Sequence, residues 1–324
     1  MSVHPVVLDE PGRRVLLMGN EAIARGAVEA GVAVAAAYPG TPSSEIGNTL
    51  SRVAEDAGLY FEWSANEKVA FEVAFGASMC GQRSLVAMKH VGLNVALDIM
   101  NPVSLRGVKG GLVFVSTDDP SQHSSRTEQD NRWLAKLNCV PVLEPSTPQE
   151  AKDMTRYALE LSERVRLPVM LRTVTRLSHM RSDVALGPIE KPDRRAEFDW
   201  EGFSYRVSGF ERLFRRHRER HEKLDRVREE FEGVGFNELK MDGSEGLGII
   251  GVGFHPVLAG LKDHHGYGLI FPSLQYFGGL AENRGTLLSR NRFPGLKRLV
   301  CQGNCFLSLI LGGLLKYSQY LGWV

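Results

Sequence analysis

A carboxylate, a hydroxyl and a polar loop stand in this sequence where chemistry could be done: Glu67 in Trp63-Ser-Ala-Asn-Glu67, Thr41 in Tyr38-Pro-Gly-Thr-Pro42, and the acids and histidine of residues 117–130. Glu67 falls where an aromatic, strand-like run at 60–64 gives way to apolar residues at helical spacing from Val69, with Asn66 as the capping residue. It has two readings there. A carboxylate at the end of a strand suits proton transfer, and one in the first turn of a helix is favoured by the helix dipole alone. Thr41 follows an unbroken apolar run at 32–38, so its loop sits at a strand's carboxyl end, the edge where open α/β sheets bind ligands. Capping of the next helix by Thr41, Ser43 and Ser44 is the equal alternative. Asp118, Asp119, His123, Glu128 and Asp130 crowd one loop and invite a metal. Without a second histidine nearby, turn chemistry in a loop that lines a cleft is the better account. Lys89 and His90 end another strand-like run and point to the same edge, where His90 suits a ligand contact and a satisfied core histidine equally.

These residues need a scaffold that brings strand ends together. Apolar runs at 14–18, 32–38, 60–64, 84–91, 111–116, 140–143 and 167–171 read as strands. Between them lie helical patterns at 21–30, from Ser43, from Val69, from Gly92 and Asn94 towards Met100, and at 149–165. About six strand–helix steps thus fill residues 12–180. Right-handed crossovers make the expected fold an α/β, doubly wound and mostly parallel sheet. Beyond Gly187 the composition changes to prolines and charges, then to one amphipathic helix over Phe210–Phe231 whose basic residues read as a solvated face. A new strand and glycine turn begin at Leu247, but Pro256 stands where a dinucleotide fingerprint needs its third glycine. The expected division is a domain over 1–185, a charged helical linker over 186–245 and a partial or divergent second α/β domain over 246–324.

Composition bounds the function. With 43% hydrophobic and 24% charged residues in 324, the chain has material for two cores. A formal net charge of +1 offers no global basic field, so neither nucleic acid nor an anionic membrane is an expected partner. The first residues lack a basic start followed by an apolar core, and the apolar run at 305–315 is roughly half the length that crosses a bilayer. A soluble, cytoplasmic protein is expected. Cys80, Cys139, Cys301 and Cys305 show no paired spacing, so reduced thiols and no metal site are expected. A glycine-rich phosphate loop, a GxSxG elbow and a CxxC cluster are all missing.

Five separated motifs go further: Gly19-Asn-Glu-Ala-Ile-Ala-Arg-Gly26, Tyr38-Pro-Gly-Thr-Pro-Ser-Ser-Glu45, Asn66-Glu-Lys-Val-Ala-Phe-Glu72, Met88-Lys-His-Val-Gly-Leu-Asn-Val-Ala96, and Asp118-Asp-Pro120 with His123-Ser-Ser125 and Glu128-Gln-Asp130. In content, order and spacing they resemble the alpha subunit of indolepyruvate ferredoxin oxidoreductase, over about residues 12–245. The resemblance implies the pyrimidine-binding domain of a thiamine diphosphate enzyme that oxidatively decarboxylates aryl 2-oxoacids, forms an acyl-coenzyme A and passes electrons to ferredoxin. Glu67 matches that family's cofactor-activating glutamate, which favours the imino tautomer of the aminopyrimidine so that the thiazolium carbon can lose its proton. By the same resemblance Thr41 and Asn94 contact the cofactor, and Thr41, His90 and His123 the substrate. Gly40 leaves room suited to an aryl group. The family's alpha subunit is about twice as long and adds a diphosphate-binding domain with a Gly-Asp magnesium motif and a cysteine-rich iron–sulfur module, which this sequence does not show. Magnesium would come from a missing domain or a partner chain, and iron–sulfur clusters belong to the missing module. The implied partners are a beta subunit, a second alpha copy or the missing C-terminal half, and ferredoxin. Pyruvate or 2-oxoglutarate oxidoreductase subunits, and a non-catalytic assembly subunit of the same fold, are the alternatives. The chain by itself is expected to be half an active site and inactive.

Overall fold

Apolar runs that need cover on both faces become the strands of one sheet. After β1 (Arg14–Met18) come β2 (Val34–Ala37), β3 (Tyr60–Trp63), β4 (Ser84–Lys89), β5 (Leu112–Asp118), β6 (Val142–Leu143) and β7 (Val169–Val174). The last six form a sheet in the order β3-β2-β4-β5-β7-β6, with every neighbouring pair parallel. This computed structural model describes residues 3–198 and 210–240, together with three further strands at 247–252, 268–271 and 298–300. Cys301, Cys305, the turn at Pro256 and most of the 255–324 tail lie outside the described residues.

Helices α1 (Gly19–Glu29), α2 (Ser44–Ala57), α3 (Glu67–Met79), α4 (His90–Arg106), α5 (Arg132–Asn138), α6 (Pro148–Val165) and α7 (Thr175–His179) complete the alternation. Successive strand residues divide between the two faces. Leu85, Ala87, Val113 and Val115 pack with α1, α2 and α6, whereas Val86, Met88, Leu112 and Phe114 pack with α3, α4 and α5. Both faces are therefore dry, which explains why these strands read as continuous apolar runs rather than alternating ones. At Gly26 the α1–α6 crossing is so close that a Cβ would lie 2.4 Å from the Lys152 carbonyl oxygen.

The structure departs from the sequence reading at β1. This strand stands outside the parallel sheet and pairs antiparallel with β8 (Arg181–Ala185), from Arg14 opposite Ala185 to Met18 opposite Arg181. Only one of its faces is covered. Leu17 is buried and Leu16 is exposed, and Arg14 pairs with Asp183 at the rim. A second difference is the start of α4, which begins at His90 instead of Gly92, so β4 ends at Lys89.

Beyond β8, residues 187–198 run beside the amino ends of the strands. Glu190 pairs with Arg83 and Arg156, and Arg194 pairs with Glu163. Helix α8 (Phe210–Phe231) spans the residues expected of it and docks on the sheet unit, burying Leu224, Val227 and Phe231. Arg216 donates to the Arg106 carbonyl oxygen (2.9 Å), Arg220 to the Ser104 hydroxyl (3.0 Å), and the Tyr157 hydroxyl to Glu230 (2.6 Å). If α8 stays docked in solution, Tyr157→Phe should cost about 1 kcal/mol and lower the melting temperature by a few degrees. An unchanged melting curve would mean that the helix swings free. The remaining described strands, β9 (Glu238–Lys240), β10 (Leu247–Val252), β11 (Gly268–Phe271) and β12 (Arg298–Val300), form a second sheet in the order β12-β10-β11-β9. In it β10 lies parallel to both neighbours. Among the described residues no helix is long and apolar enough to cross a membrane.

Candidate functional site

The chain runs outwards from β2 to β3 and then crosses to β4 and β5, so the loops after β2 and β4 diverge at the carboxyl edge, where such sheets open a crevice. Glu67 reaches this edge as the first residue of α3. Its side chain is 8% exposed and has no hydrogen-bond or ion-pair partner among the described residues. Asn66 does the capping, its side-chain oxygen accepting from the Val69 amide at 2.9 Å. Glu67 lies against Gly92 in the first turn of α4, so close that a Cβ there would come within 2.2 Å of Oε1 and 2.6 Å of Cγ. Gly92 is helical and needs no special backbone angle; it is glycine for space. The carboxylate is thus committed to no partner among the described residues and is open to a group that enters at this edge.

The loop after β2 is closed by its serines. Ser43 donates to the Gly40 carbonyl oxygen (2.7 Å), and the Gly40 amide donates to the Ser44 hydroxyl (2.8 Å). Asn20 ties in the far side through the Pro42 carbonyl oxygen (2.8 Å) and Glu45 (2.9 Å). Thr41 is left exposed, with no hydrogen-bond partner among the described residues. Beside Gly40 the space is already filled. A Cβ there would meet Lys89 Cδ at 2.7 Å and Cγ at 2.8 Å, which corrects the expectation of room for an aryl group at that glycine.

The polar run after β5 folds back over α4. His90 is fully buried, its Nε2 lies 2.9 Å from the Thr127 carbonyl oxygen, and its Nδ1 has no partner among the described residues. Asn94, exposed one turn on, exchanges two amide hydrogen bonds with Gln129 (2.9 and 3.0 Å). Asn131 donates to the His90 carbonyl oxygen (3.0 Å) and to the Ser116 hydroxyl (2.6 Å). His123 is exposed at the tip, its amide donating to Asp119 (3.2 Å). The acids of this run serve the chain itself, and among the described residues no three His, Cys, Asp or Glu side chains converge as metal ligands.

Burial works to raise the Asp119 carboxyl, but hydrogen bonds from Thr175 and Ser124 outweigh it and hold it at about 2. A depressed native value means that Asp119 contributes stability that is full above the ordinary carboxylate range and is lost as the pH falls through about 2. The backbone amide shifts of His123 and Ser124, followed by NMR, should therefore titrate with a midpoint near 2. A midpoint near the ordinary carboxylate value would mean that those bonds do not form.

Beneath the loop lies a buried ionic network. Arg172 donates to Asp118 at 2.7 Å and contacts Glu144, while Arg132 pairs with Asp130 at 2.6 Å. Burial tends to lower the Arg172 pKa, and the carboxylates of Glu144, Asp118 and Asp130 outweigh that and raise it. Asp118 also accepts from the Asn131 amide at 3.0 Å, so the network holds the returning end of the loop. Residue spacing pointed to Glu67, Thr41, His90 and His123 and the resemblance added Asn94, and all five lie on the carboxyl-edge loops or the first two turns of α3 and α4. Spacing did not point to Gly92, Gln129, Asn131 or Arg172.

Residues 25–232 match the family model described as pyruvate flavodoxin/ferredoxin oxidoreductase, thiamine diphosphate-binding. The chain belongs to this family. It is 50% identical over 252 residues to the indolepyruvate oxidoreductase subunit IorA of Pyrococcus abyssi, covering 76% of this chain and 39% of that protein. To the same subunit of Methanothermobacter marburgensis it is 58% identical over 186 residues, 57% of this chain and 29% of the relative. The 2-oxoglutarate synthase subunit KorA of Methanothermobacter thermautotrophicus is 31% identical over 184 residues, 55% of this chain and 48% of the relative. The chain thus matches well under half the length of the indolepyruvate relatives. Among solved structures, a 2-oxoglutarate:ferredoxin oxidoreductase from Magnetococcus marinus superposes with a TM-score of 0.69 at 18% identity, covering 89% of this chain and 57% of that one. That structure has 2-oxoglutarate, coenzyme A and succinyl-CoA bound; the likeness shows the shared fold.

Proposed function

We propose that this chain is the pyrimidine-binding part of a thiamine diphosphate enzyme that oxidatively decarboxylates aryl 2-oxoacids such as indolepyruvate, with coenzyme A as co-substrate and ferredoxin as electron acceptor. The observation that carries the reading is the Glu67 carboxylate, nearly enclosed, without a partner among the described residues, and seated over Gly92 at the carboxyl edge. Such a group fits an aminopyrimidine ring nitrogen, the two sharing one proton in a hydrogen bond. The cofactor, when bound, supplies the thiazolium carbon that adds to the 2-oxo group. Glu67 holds and moves a proton at the pyrimidine ring, Thr41 and Asn94 frame the cofactor, and Thr41 and His123 face the substrate. Among the described residues no three His, Cys, Asp or Glu side chains converge to hold magnesium, and the diphosphate and magnesium contacts are assigned to a further domain or partner chain. The electron route through iron–sulfur clusters and the contact with a beta subunit fall there too. In this reading residues 1–185 are the pyrimidine-type domain, 186–245 the charged helical linker and 246–324 a partial or divergent second α/β domain.

Higher identity to indolepyruvate relatives than to the 2-oxoglutarate one favours an aryl substrate over pyruvate or 2-oxoglutarate. The test is reconstitution of the chain with the missing domains and partner, followed by a 2-oxoacid panel with ferredoxin and coenzyme A. Indolepyruvate should give the highest kcat/KM and the chain alone no turnover. Binding of thiamine diphosphate without turnover on any 2-oxoacid would favour a non-catalytic assembly subunit.

A further inference from the structure

The polar loop between β5 and α5 is held to the sheet unit by ties of which several are gathered by one residue of the neighbouring helix. Three of its hydrogen bonds converge on His90: the Thr127 carbonyl oxygen lies 2.9 Å from Nε2, and the side-chain amides of Asn131 (3.0 Å) and Gln129 (3.5 Å) donate to the His90 carbonyl oxygen. A carbonyl only accepts, so Nε2 must carry the hydrogen and Nδ1 is then the bare nitrogen, buried without a partner among the described residues. A ring so enclosed, with its one donor committed to loop backbone, does not reach into the crevice. Two residues on, Gly92 carries the Glu67 side chain. The first turn of α4 therefore fixes two things at once, the height of the loop and the seat of the carboxylate.

We propose that His90 is a positioning residue: its Nε2–H clamps the 119–131 loop over the carboxyl edge and holds it in register with Glu67. The substrate contact expected of His90 passes to the loop it holds, which presents Thr127, His123 and Arg126. The catalytic meaning of the clamp rests on the reading of Glu67 given above, whereas the clamp itself does not.

Trypsin cleavage after Arg126, which is exposed on this loop, reads the clamp directly in the full chain. His90→Ala should speed cleavage at that bond about tenfold, as expected when local opening loses one hydrogen bond of about 1.4 kcal/mol. His90→Gln carries an amide donor where Nε2 stood and should keep the rate within roughly twofold of wild type. Gln129→Ala removes loop bonds from the other side and should also speed cleavage, so the clamp can be judged even where His90→Ala fails to fold. In the reconstituted enzyme His90→Gln should retain most of kcat, whereas His90→Ala should lose it. Wild-type cleavage in both Ala variants overturns the proposal. So does a His90→Gln chain that is protected yet inactive, because the ring would then act in the chemistry itself. An enzyme inactive with every 2-oxoacid would count against the reading of Glu67 and leave the proteolysis result standing.

Discussion

Glu67→Gln, in an enzyme completed by the missing domains, should lower turnover by roughly 10² to 10⁴ while leaving the melting temperature within a few degrees of wild type. Glutamine fills the same space over Gly92 and can still hydrogen-bond a ring nitrogen, but it cannot carry the proton. That difference corresponds to about 3–5 kcal/mol of barrier. If Glu67 served only the helix dipole, the change would cost about 0.3–1 kcal/mol of stability and leave turnover alone. The geometry already weighs against that reading, because Asn66 makes the capping bond and Glu67 makes none. A companion variant, Gly92→Ala, keeps the carboxylate and moves it. Its Cβ would stand 2.2 Å from Oε1, and a flexible side chain yields before a helix does. Alanine is also the better helix former, by about 0.8–1.0 kcal/mol, which offsets part of an overpacking cost of about 1–3 kcal/mol, so Gly92→Ala should still fold, with a melting temperature lower by a few degrees, and lose most of its turnover. Near wild-type rates in both variants, measured beside melting curves on the same samples, would remove Glu67 from the chemistry.

The sequence was most legible where one physical rule acted alone. Strands covered on both faces must be apolar throughout, and β2, β4, β5 and β7 were read from that rule. The helix over Phe210–Phe231 was read from its stripe of apolar residues, and its docking rests on Leu224, Val227 and Phe231 along that stripe. Legibility failed where local pattern and tertiary pairing disagree. Residues 14–18 are as apolar as a buried strand, yet only the pairing with β8 shows that Leu16 faces solvent, and that partner contains Arg181 and Asp183 and reads as loop. Site residues divide in the same way. Glu67 and Thr41 could be picked out because their positions at strand ends are a matter of sequence. Gly92 could not, since a helical glycine looks like a weak helix former until the side chain above it is known. Nothing in the local pattern singles out Gln129 and Asn131, and only the return of the loop over α4 gives their amides His90 and Asn94 as partners.

Arg172→Met should destabilise the chain by about 3–5 kcal/mol, or about 6–20 °C in melting temperature, which is what removing one partner of a buried ion pair costs. Arg172 is 5% exposed and faces Asp118, which is fully buried, and Glu144, which is 4% exposed. Methionine fills much of the volume, so the loss comes from the carboxylates left behind rather than from a cavity. Burial already raises the Asp118 carboxyl against the pull of Arg172, and without the guanidinium that rise is opposed only by the hydrogen bond from the Asn131 amide. The sign of the pH dependence follows. A carboxyl whose native pKa lies above its unfolded value binds more protons folded than unfolded, so the variant loses stability as the pH rises through the raised value. Its deficit against wild type should be larger at pH 8 than at pH 5. Asp118→Asn in the same background should recover part of the loss by removing one stranded charge. Because Asp118 also holds the Asn131 amide, cleavage after Arg126 should accelerate in Arg172→Met. A deficit below about 1 kcal/mol, or one that is the same at both pH values, would mean that water and not Arg172 satisfies these carboxylates.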